Sequence, residues 1–433
     1  IHLEVIMGFL RSLYSGVSGL RNHQTMMDVI GNNVSNINTI GFKASRVNFS
    51  ESFAQTLRGA SSPTTLNGGT NPMQIGLGMN VSSIDTNFSV GNTEITGEKT
   101  HLALQGSGFF IAKVGGKNSY TRVGAFKFNS LGQLVNGDGA VVQGKLADAV
   151  GVLPTGTSLQ NIIIPKGVTS APQASTEIKL SGNLDASAKV GDTTNSVVTV
   201  YDSLGTQHNI TLTFTKTAVN AWDWKVAFPT GSAAVPTAGS DAGTITFNSD
   251  GTVKTFANTL APPADTSLTF APGTGASDVT IKLFDSANLN KVGGDLSQTT
   301  KPSSIFGEKK NGYASGTLNS IDFENDGTIR GSFSNGQRQV LGQLLVANFN
   351  NPNGLERVGG SLYDTTSNSG APIVGTVETV SDGNIQAGAL EQSNVDLAEE
   401  FTKMIVAQRG FQANAKVITT SDEFLQELMS IKR

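Results

Sequence analysis

Four histidines, a sparse and scattered set of acids and a complete lack of cysteine limit the chemistry open to this chain. His2, His23, His101 and His208 are dispersed and stand beside no carboxylate cluster at ligand spacing, whereas zinc sites declare themselves by grouped His or Cys. Without Cys there is no disulfide framework, no thiolate metal site and no Cys nucleophile. Asn248-Ser249-Asp250-Gly251 and Glu324-Asn325-Asp326-Gly327 resemble calcium loops only in outline. Neither continues with alternating oxygen ligands and a terminal Glu, so hairpin turns explain them better. Gly106-Ser107-Gly108 and Gly76-Leu77-Gly78 have no helix behind them to cradle a phosphate, and Gly115-Gly116-Lys117 lacks P-loop spacing. Gly16-Val17-Ser18-Gly19 falls inside an amphipathic helical pattern, where a nucleophile elbow cannot form. No pair of acids stands out as the convergent carboxylates of a glycosidase. The residues therefore assign no catalytic group, no cofactor and no metal, and the expectation is a protein that is not an enzyme.

The bulk composition agrees with a scaffold. Charged residues make up 15% of the 433, against roughly 25% in an average globular chain. Polarity comes from neutral side chains and 50 glycines, which suits many weak contacts that salt does not screen. A net charge of -4 sets up no field for nucleic acid or anionic lipid. No apolar run approaches the ~18 residues of a membrane span, so no membrane insertion is expected. The first ten residues lack a basic leader and a small-residue cleavage site. Met7 is expected to be the natural start, with residues 1–6 an upstream extension or cloning remnant.

The elements that carry this composition fall into two kinds. Leu13, Val17, Leu20, Met27, Ile30 and Val34 recur at helical spacing and predict an amphipathic N-terminal helix, stopped by the Asn, Thr and Gly of residues 36–42. From Leu397, steps of four and three reach Phe401, Met404, Gln408, Phe411, Ala415, Ile418, Asp422 and Leu425, a coiled-coil-like seam with two polar interruptions. Ser393 or Asn394 is the expected cap, with Asp396 favourable in the first turn. Two ordinary core helices would show the same periodicity, but these lie at opposite termini with nothing helical beside them to cover them. Between them the period changes to two. Trp222, Trp224, Val226 and Phe228 alternate with polar residues, and Val197–Tyr201 with His208–Phe214 reads as a hairpin across Asp202-Ser203-Leu204-Gly205. Further turn signals stand at 136–139, 249–251, 325–327 and 335–336. Loose stretches at 59–72 and 296–304 suggest boundaries.

The predicted fold is a multidomain α+β chain: terminal helices forming a coiled-coil-like inner domain, plus two mainly antiparallel β domains, sandwich- or barrel-like. Its expected division is residues 7–45 and 385–433 for the helical domain and 46–75 for a connector. Residues 76–149 and 305–384 would form an inner β domain, and 150–304 an outer one.

With these elements in place, the residue strings resemble those of bacterial flagellar rod and hook proteins. Met26 to Asn36, with Asn32, Asn33 and Asn36, followed by Thr39-Ile40-Gly41-Phe42-Lys43, resembles the family's N-terminal signature. Leu390-Glu391-Gln392-Ser393-Asn394-Val395-Asp396-Leu397 is similar to its C-terminal motif, which continues to Asp422. Gly106 to Phe110 and Tyr120 to Phe126 look like its shared β domain. The segment 200–205 and the block 326–337 look like hook proteins within that family; rod proteins have little or no outer domain. Ser35 stands where Ala is commoner, and residues 150–300 match only patchily. The resemblance implies a structural subunit that polymerises into a flexible curved tube and transmits torque from rod to filament. It implies partners in the chain itself, the distal rod protein, the hook–filament junction proteins, the hook cap protein and the type III export apparatus. It implies a location in the flagellum outside the cytoplasm, extracellular or periplasmic. Some hooks are cross-linked through a cysteine and a lysine, which this chain lacks the cysteine to do.

On this view the two helices pair, neighbouring subunits bury the remaining apolar stripe, and in the free subunit the helices are largely disordered. The polar, Gly-rich region 150–300 would make hydrated contacts weak enough to slide as a bent tube turns. A distal rod or junction protein, a surface adhesin and a hydrolase are the competing readings; the central insertion and hook-like segments argue against the first, the matched helical ends against the second, and the lack of a visible acid, base or nucleophile set against the third.

Overall fold

The computed structural model describes residues 2–430 apart from 66–67, 260–265, 274, 286–289, 291–294 and 310. Long helices occupy the two ends, His2–Ser35 and Leu397–Ser430, and strands dominate between them. The chain forms two compact units: Ile1–Pro165 with Ile321–Arg330 and Val340–Arg433, and Lys166–Ser320 with Gly331–Gln339. Residues 150–165 thus belong to the first unit and 305–320 to the second.

In the first unit the N-terminal helix ends at Ser35. Asn32 Oδ1 then accepts from Asn36 Nδ2 at 2.7 Å, and Gly41 turns the chain at φ +66°. A Cβ there would come within 2.9 Å of Val123 N, so the left-handed turn and the close approach both call for glycine. The chain leaves as a two-stranded ribbon, Ser45–Glu51 with Met79–Thr86, prolonged by Ala54–Arg58 with Met73–Gly76. The central antiparallel sheet follows the order Arg338–Leu344, Val141–Leu146, Phe109–Val114, Lys117–Thr121, Leu362–Asp364, Glu356–Gly359. Its core is aromatic. Phe109 meets Phe88 edge-on and Phe349 in the same manner, and Tyr120 abuts Phe349 at 4.8 Å.

The second unit holds a five-stranded antiparallel meander: Thr193–Tyr201, Gln207–Ala218, Ala221–Ala227, Ala242–Phe247 and Val253–Asn258. The hairpin expected over 197–214 is present, with Tyr201 opposite Gln207. Asp202 Oδ1 closes its turn by accepting from the Leu204 and Thr206 amides at 2.9 and 2.8 Å. Asn129, Asn136 and Asp148 grip their own turns in the same way in the first unit. Alternation along 221–227 buries Trp222, Trp224 and Val226. Trp224 stacks on Phe256 and donates to Ala257 O at 3.2 Å.

Two expectations are corrected here. Residues 296–304 are not a loose boundary throughout, since Leu296–Thr299 is a strand paired in parallel with Ile178–Asp185, with Leu296 and Gln298 buried. Polar composition misled because alternate residues, not all of them, face the core. The sheets close into no barrel among the described residues. Their edges are left as separate small sheets rather than joined around a ring.

Candidate functional site

With no catalytic constellation to build from, the functional candidates are the paired terminal helices and the junction that ties them to the first unit's sheet. The helices run antiparallel. Ser12 Oγ lies 3.1 Å from Ser421 Oγ, and Asn33 Nδ2 donates to Glu400 Oε2 at 3.0 Å near the other end. Between these points glycines of one helix face side chains of the other. A Cβ on Gly16 would meet Ile418 at 3.0 Å, one on Gly19 would meet Asn414 at 2.5 Å, and one on Gly410 would meet His23 at 2.5 Å. Glycine inside a helix costs about 1 kcal/mol relative to alanine, so three of them at one seam mark a close approach that larger side chains would block. The steps 12, 16, 19, 23 and 410, 414, 418, 421 keep the four-and-three rhythm; of these only Ile418 belongs to the expected seam, and the others sit beside it.

The expected packing residues are accordingly divided. Ile30 is buried, while Leu13, Leu20, Met27, Val34, Met404, Phe411, Ile418 and Leu425 are half-buried, Ile418 at the seam itself against Gly16. Val17, Leu397 and Phe401 are exposed, Phe401 at 50%. Ile405, Val406 and Val417 are exposed with them, so the C-terminal helix carries a second, exposed apolar stripe besides the one at the seam. Hydrophobic periodicity alone could not separate the two stripes, because both repeat with the same helical step.

The signature residues converge at the base of the helix pair. Asn33 is buried, with Oδ1 accepting from Ser45 N at 2.9 Å and Nδ2 donating to Ser45 O at 2.8 Å. Asn394 Oδ1 accepts from Ala44 N at 2.8 Å, and its Nδ2 reaches Asn87 O. Those contacts take Asn394 out of capping, and Ser393 Oγ serves only Val395 N. The cap of the C-terminal helix is Asp396, whose Oδ1 accepts from the Ala398 and Glu399 amides at 2.8 and 3.3 Å. Thr39 Oγ1 donates to Asn36 Oδ1, and Phe42 lies under the Arg357 guanidinium at 5.3 Å. Asn32 is exposed, Leu390 is buried, and Val395 is half-buried.

At the centre of this junction three charges are buried together. Lys43 Nζ donates to Glu391 Oε1 at 2.5 Å and to Ser89 O at 2.7 Å. Arg122 Nη1 lies 3.4 Å from Glu391 Oε2, and Nη2 donates to Gly106 O at 2.8 Å. Gly91 N also donates to Glu391 Oε1, and Gly41 N to the Glu391 carbonyl. All three side chains are at most 2% exposed. Burial pushes the Lys43 ammonium below its ordinary pKa, against the pull of Glu391 and with a further push from Arg122. Burial likewise lowers Arg122, again opposed by Glu391. The sequence signal for this cluster was present in the recurring strings around Lys43, Arg122 and Glu391, but nothing in their spacing puts them together.

Four family profiles match in chain order. They are "Flagella basal body rod protein" over 13–43, "Flagellar hook protein FlgE/F/G D1 domain" over 103–186, "Flagellar basal body protein FlaE D2 domain" over 176–313, and "Flagellar basal body rod FlgEFG protein C-terminal" over 386–431. The chain is 38% identical to "Flagellar hook protein FlgE" of Treponema pallidum, over 98% of this chain and 100% of that one. The chain belongs to the flagellar hook protein family. The like-named protein of Borreliella burgdorferi is 39% identical over 98% of this chain and all of its own, and that of Escherichia coli 34% over 96% and 98%. A crystal structure of Helicobacter pylori flagellar hook protein FlgE2 shares the fold with TM-score 0.51 at 16% identity, covering 69% of this chain and 100% of that one. As a hook-family subunit the chain is structural rather than enzymatic, and its place is the flagellar hook and basal body.

Proposed function

We propose that the terminal helix pair is the assembly element, through which copies of the chain polymerise into a curved, flexible tube carrying torque from rod to filament. The observation that carries this reading is the division of side chains on the C-terminal helix. Its seam with the N-terminal helix is made through Gly410, Asn414, Ile418 and Ser421, while Leu397, Phe401, Ile405, Val406 and Val417 remain exposed. Exposed apolar surface of this extent on one helix is worth covering, at about 25 cal/mol per Å², and a second copy supplies the same surface. The polar surface of the second unit would then make weak hydrated contacts between copies. The remaining partners in this reading are the distal rod protein, the cap protein, the junction proteins and the export apparatus, at a location outside the cytoplasm.

Negative-stain electron microscopy of the concentrated chain, seeded with short hook fragments, tests it. The full chain should grow curved tubes, and Phe401→Asp should grow none while its β units keep their circular dichroism. Straight tubes would point to a rod component, and normal tubes from Phe401→Asp would remove the exposed stripe from assembly.

A further inference from the structure

The buried charges are the largest structural feature that tube formation by apolar stripes leaves unexplained. Lys43 follows the exit of the N-terminal helix, Arg122 directly follows the strand Lys117–Thr121, and Glu391 precedes the C-terminal helix by six residues. The three side chains therefore tie together three stretches of chain more than 70 residues apart in sequence. Each has defined partners: Ser89 O accepts from Lys43, Leu104 O and Gly106 O accept from the terminal nitrogens of Arg122, whose Nε alone is left without one, and Glu391 pairs with both cations. An apolar plug would fill the same space with less desolvation, and replacing a buried ion pair by packed hydrophobic residues is often neutral or stabilising. What a plug lacks is directionality, since an apolar contact tolerates sliding and a buried carboxylate between two cations does not.

We propose that Glu391, with Lys43 and Arg122, is a register clasp that fixes how far the two terminal helices are slid along one another and so which residues meet at their seam. The seam needs such a device. Its rhythm repeats with each turn, so a slip of one turn would still leave glycines of one helix facing the other helix over part of its length. Asn33 with Ser45 and Glu400, and Asn394 with Ala44, extend the same fixation outward from the clasp. Glu391 acts here as a positioning residue, and the inference rests on the proposed role of the helix pair in assembly.

The absence of cysteine makes the register directly readable. Ser12 and Ser421 face each other, so a chain carrying S12C and S421C should form a disulfide in mild oxidant, and one carrying S12C and L425C reports a slip of one turn. In the otherwise unaltered chain the in-register cross-link should exceed the slipped one by at least about tenfold; with E391Q added the ratio should fall below about threefold, while amides of the strands 109–114 and 117–121 keep their hydrogen-exchange protection. Should E391Q fail to fold, K43M/R122M/E391M, which removes all three charges together and leaves no buried ion without its partner, carries the test with the same expected loss of ratio. An unchanged ratio in the variant that folds, or a parent that forms neither cross-link, overturns the clasp. Tube growth on seeds is scored separately: lost register with normal tubes would keep the clasp and take the helix pair out of assembly.

Discussion

The second unit and the terminal helix pair use large side chains in opposite ways. In the second unit Phe214, Trp222, Trp224, Phe256 and Phe270 are buried within one chain, and polar residues alternate outward. In the C-terminal helix Phe401, Ile405 and Val406 are exposed, and Gly410, Asn414, Ile418 and Ser421 meet the N-terminal helix. The first arrangement completes a core with its own residues. The second leaves much of its apolar surface exposed, while glycines set against the side chains of the other helix bring the two helices close together. On the proposed role of the helix pair, one chain would contain a unit completed by its own residues and an element completed by assembly, and the location of the bulky residues would tell them apart.

The sharpest way to break this comparison is to place a charge on the exposed stripe. Val406→Asp, at a position 58% exposed, should abolish seeded tube growth while shifting monomer unfolding by no more than ~0.5 kcal/mol. Sedimentation of seeded samples and a denaturant titration measure the two together. The reciprocal change should act on the other side only. Trp224→Ala removes a fully buried ring stacked on Phe256 and should destabilise the second unit by about 3–5 kcal/mol, read by calorimetry, without preventing the helices from pairing. At the seam, Gly19→Leu forces a side chain into space held by Asn414 and should cost about 1–3 kcal/mol in helix unfolding, followed by circular dichroism at 222 nm. Equal stability of the Gly19→Leu chain would mean the helices are not held close.

The smallest effect concerns pH. Burial by itself would raise the Asp364 carboxyl, but hydrogen bonds from Lys117 and Ser119, at 2.6 and 2.7 Å, outweigh it and hold the group below the usual carboxylate range. A carboxyl whose pKa is lower folded than unfolded adds stability above about pH 3.9, and that stability is lost as pH falls through the folded value. Acid titration of the first unit's unfolding should therefore show a limb below about pH 4 that Asp364→Asn flattens. A limb of the same size in the variant would assign it to other carboxylates.

The sequence by itself determined most of the architecture. Period-two alternation at Trp222, Trp224 and Val226 marked a half-buried strand, and Asx-Gly strings marked turns, because backbone geometry is dictated within a few residues. The terminal strings carried the family resemblance without any structure. What only the tertiary structure decided was which of two equally periodic stripes on each helix faces the other. That choice depends on how closely two backbones approach, and so on Gly16, Gly19 and Gly410, whose meaning appears only beside Ile418, Asn414 and His23. The cap at Asp396 was likewise decided at a distance, since Asn394 is drawn away to Ala44, 350 residues earlier. The clasp of Lys43, Arg122 and Glu391 is the extreme case: each charge looks ordinary in its own segment, and only the fold brings them within hydrogen-bonding reach and removes the water that would otherwise separate them.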